Sequence, residues 1–137
     1  MIIDGMAEYV GDNVTGLSFS ETGGNVFVDA LPDAPARAVG VYGNDGDEAD
    51  SLLPYDAPRV QIMVRSDRDP RWGLNMWQDI YNFIHGKRDV TLPDGTYMVY
   101  ALVERSGPDH LQPDDQGRHQ YGMDIRTEIY NPTSERP

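Results

Sequence analysis

Four side chains in one short stretch could do chemistry together: His110, Asp114, Asp115 and His119. Imidazole and carboxylate are both good ligands for a divalent metal, and a metal held by them would support hydrolysis. The spacing argues against that reading. No HxH or HxxxH pattern puts two imidazoles side by side, and the two histidines bracket "LQPDDQGR" (111–118), whose proline, glycine and aspartates read as a turn. Nucleophilic catalysis is no better supported. Ser51, Ser66 and Ser106 stand at loop or strand ends, and none sits in a nucleophile elbow. Paired carboxylates abound in so acidic a chain, so they mark no particular acid–base site. The third histidine, His85, closes a helical stretch, where its cationic form complements the helix dipole.

The segment "NDGDEADSLLPYDAP" (44–58) carries five acids and no base. A calcium loop of the EF-hand type needs oxygen ligands at its first, third and fifth positions and then a glycine. Counting from Asp45, Ala49 falls on the fifth position and Asp50 on the sixth, so the match fails. A phosphate-cradling loop needs bare amides and a lysine, and here acids stand in their place. The segment reads as an acidic, flexible, solvated loop. No metal, no cofactor and no enzymatic activity are expected.

These residues sit in a chain of 137 residues with net charge −12. That length fits a single domain over 1–137. The charge disfavours nucleic-acid binding, which needs cations to displace counterions from phosphate, and it disfavours an anionic membrane surface. Residues 1–50 hold ten acids and one base, Arg37, so the negative charge is concentrated there. With no cysteine there are no disulfides. "MIIDGMAEYV" lacks the basic start and long apolar core of a signal peptide, no apolar run is long enough to span a membrane, and the sequon at Asn13 is read as chance.

The elements follow from periodicity. Ile2, Ile3, Met6, Ala7 and Val10 recur at helical spacing, with Gly11 as the expected stop. "NVFVDAL" (25–31) and "RAVGVYG" (37–43) read as two strands of a hairpin turned at "DAPA". "RVQIMVRS" (59–66) alternates as a strand. Asp69 and Pro70 start the main helix, whose stripe is Leu74, Trp77, Ile80, Tyr81 and Ile84, and Gly86 ends it. "VTLPDGTYMVYALVERSG" (90–107) is a strand pair around Pro93-Asp94-Gly95. In "HQYGMDIRTEIY" (119–130), Tyr121, Met123, Ile125, Thr127 and Ile129 share one face. Residues 131–137 form a tail. The expected class is α+β: a small twisted mixed or antiparallel sheet, one main helix packed on it, and a short N-terminal helix.

In order along the chain, "IIDGMAEYV", "PYDAPRVQIMVRSDRDP", "WGLNMWQDIYNFIHG" and the closing "YMVYALVERSGPDHLQPDDQGRHQYGMDIRTEIYN" resemble the minor capsid or tail-terminator proteins of long-tailed bacteriophages. The resemblance implies a non-enzymatic virion protein, made in the host bacterial cytoplasm and placed at the tail–neck junction. It implies a homo-hexameric ring at the head-proximal end of the tail tube, which stops tube polymerisation. The implied partners are other copies of the chain, the major tail tube protein and a head-completion or stopper neck protein. DNA would pass through the channel without specific binding, and no membrane is involved. Another neck component and an acidic DNA mimic are the alternative readings.

Interface residues expected on that basis are the arginines Arg59, Arg65, Arg68 and Arg71, some reaching a neighbour's carboxylates, and the loop acids Asp45, Asp47, Glu48 and Asp50. Asp114, Asp115 and Arg118, in the turn between the last long strands, are expected to shape a contact surface. The strand 25–31 is an expected open edge.

Overall fold

The computed structural model describes residues 1–20 and 22–137. Its elements run α1 (Ile2–Asn13), β1 (Val26–Val28), β2 (Ala38–Asn44), β3 (Tyr55–Asp56), β4 (Arg59–Arg65), α2 (Pro70–Ile84), β5 (Arg88–Thr91), β6 (Tyr97–Val103), β7 (Asp109–Leu111) and β8 (Gln120–Tyr130). All eight strands belong to one mixed sheet of order β1-β2-β4-β8-β6-β5. β3 and β7 also pair with β8. This is the expected α+β class.

β8 is the spine. Along one side it holds β4 and then β3; along the other it holds β7 and then β6. Each side is thus a strand interrupted once. Between β3 and β4, Pro58 cannot donate to the ladder, and its carbonyl instead accepts the Thr127 hydroxyl at 2.6 Å and the Thr127 N–H at 3.3 Å. The turn expected after residue 106 therefore contains a short strand, β7, in register with Gly122 to Gln120.

The inner face of the sheet is the core. Val39, Val41, Val60, Ile62, Val64, Met98, Ala101, Met123 and Ile125 are buried there, under the buried faces of α1 and α2. β8 alternates as its sequence requires, with Tyr121, Met123, Ile125 and Thr127 turned inward. In α2 the stripe is Gly73, Met76, Trp77, Ile80 and Ile84, with Leu74 and Tyr81 half-buried at its margins. Asp69 caps α2 by accepting the Arg71 N–H at 3.1 Å. Trp77 is 1% exposed and donates Nε1–H to the Gly122 carbonyl at 2.8 Å, which ties the helix to β8. Gly73 allows that closeness: a Cβ there would lie 2.8 Å from both Ser66 and the Tyr121 ring.

Two expectations change. α1 does not stop at Gly11 but continues to Asn13. Gly11 is needed for a close approach, since a Cβ would sit 2.7 Å from Cβ of Phe19. The strands at 25–31 and 37–43 do not form a hairpin; β1 and β2 are parallel, with Val26 opposite Val39. β1 is only three residues long, so the chain has to travel back about 10 Å. Residues 29–37 can do that without a crossover helix. The sequence suggests a turn but does not reveal its direction.

Candidate functional site

The outer face of the sheet has no helix on it, and its two ends differ. Where β8 begins, the face is roofed by the loop after β1. Arg65 makes this roof. It lies on the outer row of β4, is 3% exposed, and donates to the carbonyls of Ala36 at 3.0 Å and Pro35 at 2.7 Å, and to those of Pro32 and Leu31. Arg118 is buried beside it. Its side chain bonds Asp114 at 2.6 Å and the Asp33 carbonyl at 2.6 Å. Burial by itself would raise the Asp114 pKa, but the Arg118 N–H and guanidinium and the Gln116 N–H outweigh it and hold that carboxyl below its usual range.

Arg65 and Arg118, expected at a subunit surface, are therefore interior to the subunit. Such loop carbonyls need donors, and a buried guanidinium with five N–H groups supplies them at several angles. Asp114 is committed to its own turn, while Asp115 is exposed. His110 is exposed and packs edge-on against Tyr121 at 5.3 Å. Among the described residues, no three His, Asp or Glu side chains come together as a metal-binding group. His85 is the C-cap residue of α2, as its position in the sequence suggests, and its Nδ1 lies 2.9 Å from the Val103 N–H.

Where β8 ends, the outer face is open. Tyr97, Tyr130 and Tyr55 lie directly opposite one another on β6, β8 and β3. The Tyr55 and Tyr130 rings are 5.6 Å apart, and the Tyr97 hydroxyl donates to Asp89 at 2.8 Å. Four residues back along β8, exposed Leu102 of β6 faces Arg126. Of the exposed large hydrophobic residues, all but Met1 and the loop pair Leu52 and Leu53 are these four. Tyrosines of this kind are favoured at protein interfaces because one rigid side chain supplies both apolar area and a hydroxyl.

Arg59 begins the ion-pair network beside Leu102. It bonds Glu104 at 2.9 Å and Asp47 at 3.5 Å, and Asp47 also lies 3.6 Å from Arg126. One row further along, Asp124 has an Oδ1 that is buried without a hydrogen-bond partner among the described residues. Burial first, then the charges of Glu104 and Asp109, raise its pKa.

The acidic loop and the C-terminal residues form one unit. Asp50 accepts the N–H groups of Leu52 and Leu53, both at 2.8 Å. Arg136 donates to the carbonyls of Asp50, Leu53 and Tyr55 and pairs with Asp56 at 2.9 Å. The Arg136 bond, then that from Asn131, lowers the Asp56 pKa. Residues 131–137, expected as a bare tail, hold the base of this loop. Asp45 and Glu48 project from it, exposed. At the other end, Arg71 pairs with its own capping Asp69 at 3.1 Å while remaining 84% exposed. Arg68 is exposed and has no ionic partner among the described residues.

The residues that sequence reasoning passed over are Tyr55, Tyr97, Leu102 and Tyr130. A signal existed for one of them: Tyr130 falls on the polar phase of the β8 alternation, where a large aromatic has no core to join.

A sheet packed on one face and partly open on the other, with tyrosines and ion pairs on the open side, has the surface character common at protein interfaces. The fold is shared with a chain from a structure described as the virion of a native gene transfer agent particle, with a TM-score of 0.55 and 16% identity over 77% of this chain and 78% of that one. No curated protein sequence matches. Residues 9–131 match the model of the family described as bacteriophage tail terminator protein, and the chain belongs to that family. It is a structural component of a phage particle. Neither helix is long and apolar enough to cross a membrane.

Proposed function

We propose that the chain terminates the phage tail: copies assemble into a ring, a hexamer, on the head-proximal end of the tail tube, stop tube polymerisation and present a face to the head-completion or stopper protein. The observation that carries this is membership of the tail terminator family across residues 9–131. The open sheet end supports it, because exposed large apolar side chains gathered on one surface are expected of a protein that docks. On this reading the chain makes and breaks no bond, residues 1–137 act as one unit, and the junction of tail and neck is where it works. A net charge of −12 per subunit keeps duplex DNA from adhering to the channel wall as it passes.

Arg68, Arg71, Asp45 and Glu48 are the candidates for contacts beyond the subunit, since they are exposed and little engaged within it. Electron microscopy of the purified protein mixed with tail tubes tests the proposal. Rings seated on one end of each tube, with added tube subunits no longer extending it at that end, are expected. Tubes that keep lengthening at both ends in its presence would refute it.

A further inference from the structure

Two exposed surfaces of the chain stand out, an acidic turn tipped by leucines and a pair of shallow grooves that contain arginines. The first is a knob. Asp50 holds the backbone of Leu52 and Leu53, and Arg136 holds the carbonyls on either side. The result is a braced turn from which Leu52 stands 83% exposed and Leu53 57% exposed. Four carboxylates, Asp45, Asp47, Glu48 and Asp50, precede these leucines without an intervening base.

The second is a pair of shallow grooves on either side of Leu102. One, of about 400 Å³, is lined by Arg59, His85, Val103, Glu104 and Arg126. The other, of about 380 Å³, is lined by Arg88, Asp89, Val99 and Tyr100. In a strongly acidic chain, arginines outnumber acids along this lining. Asp47 of the same chain already pairs with Arg59 and Arg126 at the near end. Arg88 at the far end has no ionic partner among the described residues.

We infer that the Leu52–Leu53 turn of one copy docks in the Leu102 grooves of the next copy, with the acids of the loop facing Arg88. The inference rests on the ring reading above and names the contact that builds the ring. Knob and grooves are different patches. The loop leaves the sheet from β2 and returns at β3, whereas one groove spans β4, β8 and β6 and the other, with Arg88, lies on β5 and β6 beyond β8. Contacts between unlike patches are head-to-tail, and head-to-tail contacts form a ring where the rotation between copies closes. Leu52 at 83% exposure does not reach the grooves of its own chain. The bracing by Asp50 and Arg136 lowers the ordering cost of docking.

The absence of cysteine makes the test clean. L52C and L102C are prepared singly and together, with L53C/L102C as a second pair, and each is checked for native circular dichroism. The proteins are treated with a short bis-maleimide, and mass is followed by light scattering. The double variants are expected to give a linked ladder up to the ring, the mixed single variants linked dimers only, and either single variant alone no linked species. Linked dimers from L52C alone would mean that leucines meet leucines and would overturn the docking. Double variants that assemble by light scattering but do not link would overturn the docking and leave the ring standing. Double variants that stay monomeric and unlinked at every concentration would overturn both.

Discussion

The two faces of the central sheet are built by the same strands and obey different rules. On the inner face, Val39, Ile62, Ile125 and Ala101 are fully buried in the core. On the outer face, the alternate positions of β4 and β8 carry Arg65, Asp124, Arg126 and Tyr130, and each must find a polar partner, a roof or a second molecule. The inner face is satisfied within the subunit. The outer face is roofed only where β8 begins, under the loop that Arg65 holds. The difference separates stability from assembly, and substitutions on the two faces should separate in the same way.

The largest expected effect is on the inner face. W77A empties a core site and orphans the Gly122 carbonyl, and should cost about 3–5 kcal/mol in urea unfolding; a loss below 1 kcal/mol would mean that α2 is not anchored to β8. R65A comes next, at about 2–4 kcal/mol, because it strips the donors from several loop carbonyls at once. If R65A unfolds like the wild type, the roof holds without its arginine and the outer face is alike at both ends.

The third effect has the opposite sign and depends on pH. Folding raises the Asp124 pKa. Such a group favours the folded state below the pKa of the unfolded carboxyl, and that favour is lost as pH rises through the folded value. At neutral pH the ionised carboxyl therefore weakens the fold. D124N should stabilise there by less than about 1 kcal/mol, given solvent screening, and the gain should vanish in acid. A gain that persists unchanged at low pH would assign it to something other than ionisation. The smallest effect on stability is expected for Y130S. Tyr130 is 43% exposed, so unfolding should shift by within about 0.5 kcal/mol. Assembly measured by light scattering should weaken all the same. Loss of stability without loss of assembly would place this tyrosine with the inner face.

The sequence made the inner face readable and left much of the outer face obscure, for a physical reason. Burial of apolar groups imposes a period, two on β8 and 3.6 on α2, and a period can be seen without knowing what packs against it. The Asp69 cap and the Pro70 start are equally local. The partners of polar groups are not. Nothing near Arg65 in sequence says that its guanidinium meets carbonyls some thirty residues away, so its charge reads as surface. Arg118 misleads in the same way through Asp33. Arg136, three residues past Thr133 in an apparent tail, closes on a loop more than eighty residues earlier. The direction of β1 was hidden because a compact turn and a return loop share the same residues. The tyrosine row needed the register of three strands, which only long-range pairing fixes.

β8 bonds to four other strands and is the last of them in the chain. While the ribosome is still making it, β4 and β6 have no shared neighbour and the nascent sheet stays split down its middle. Folding of this protein is therefore expected to wait until residues 120–130 have left the exit tunnel, so a chain stalled before Gln120 should show little amide protection in hydrogen exchange.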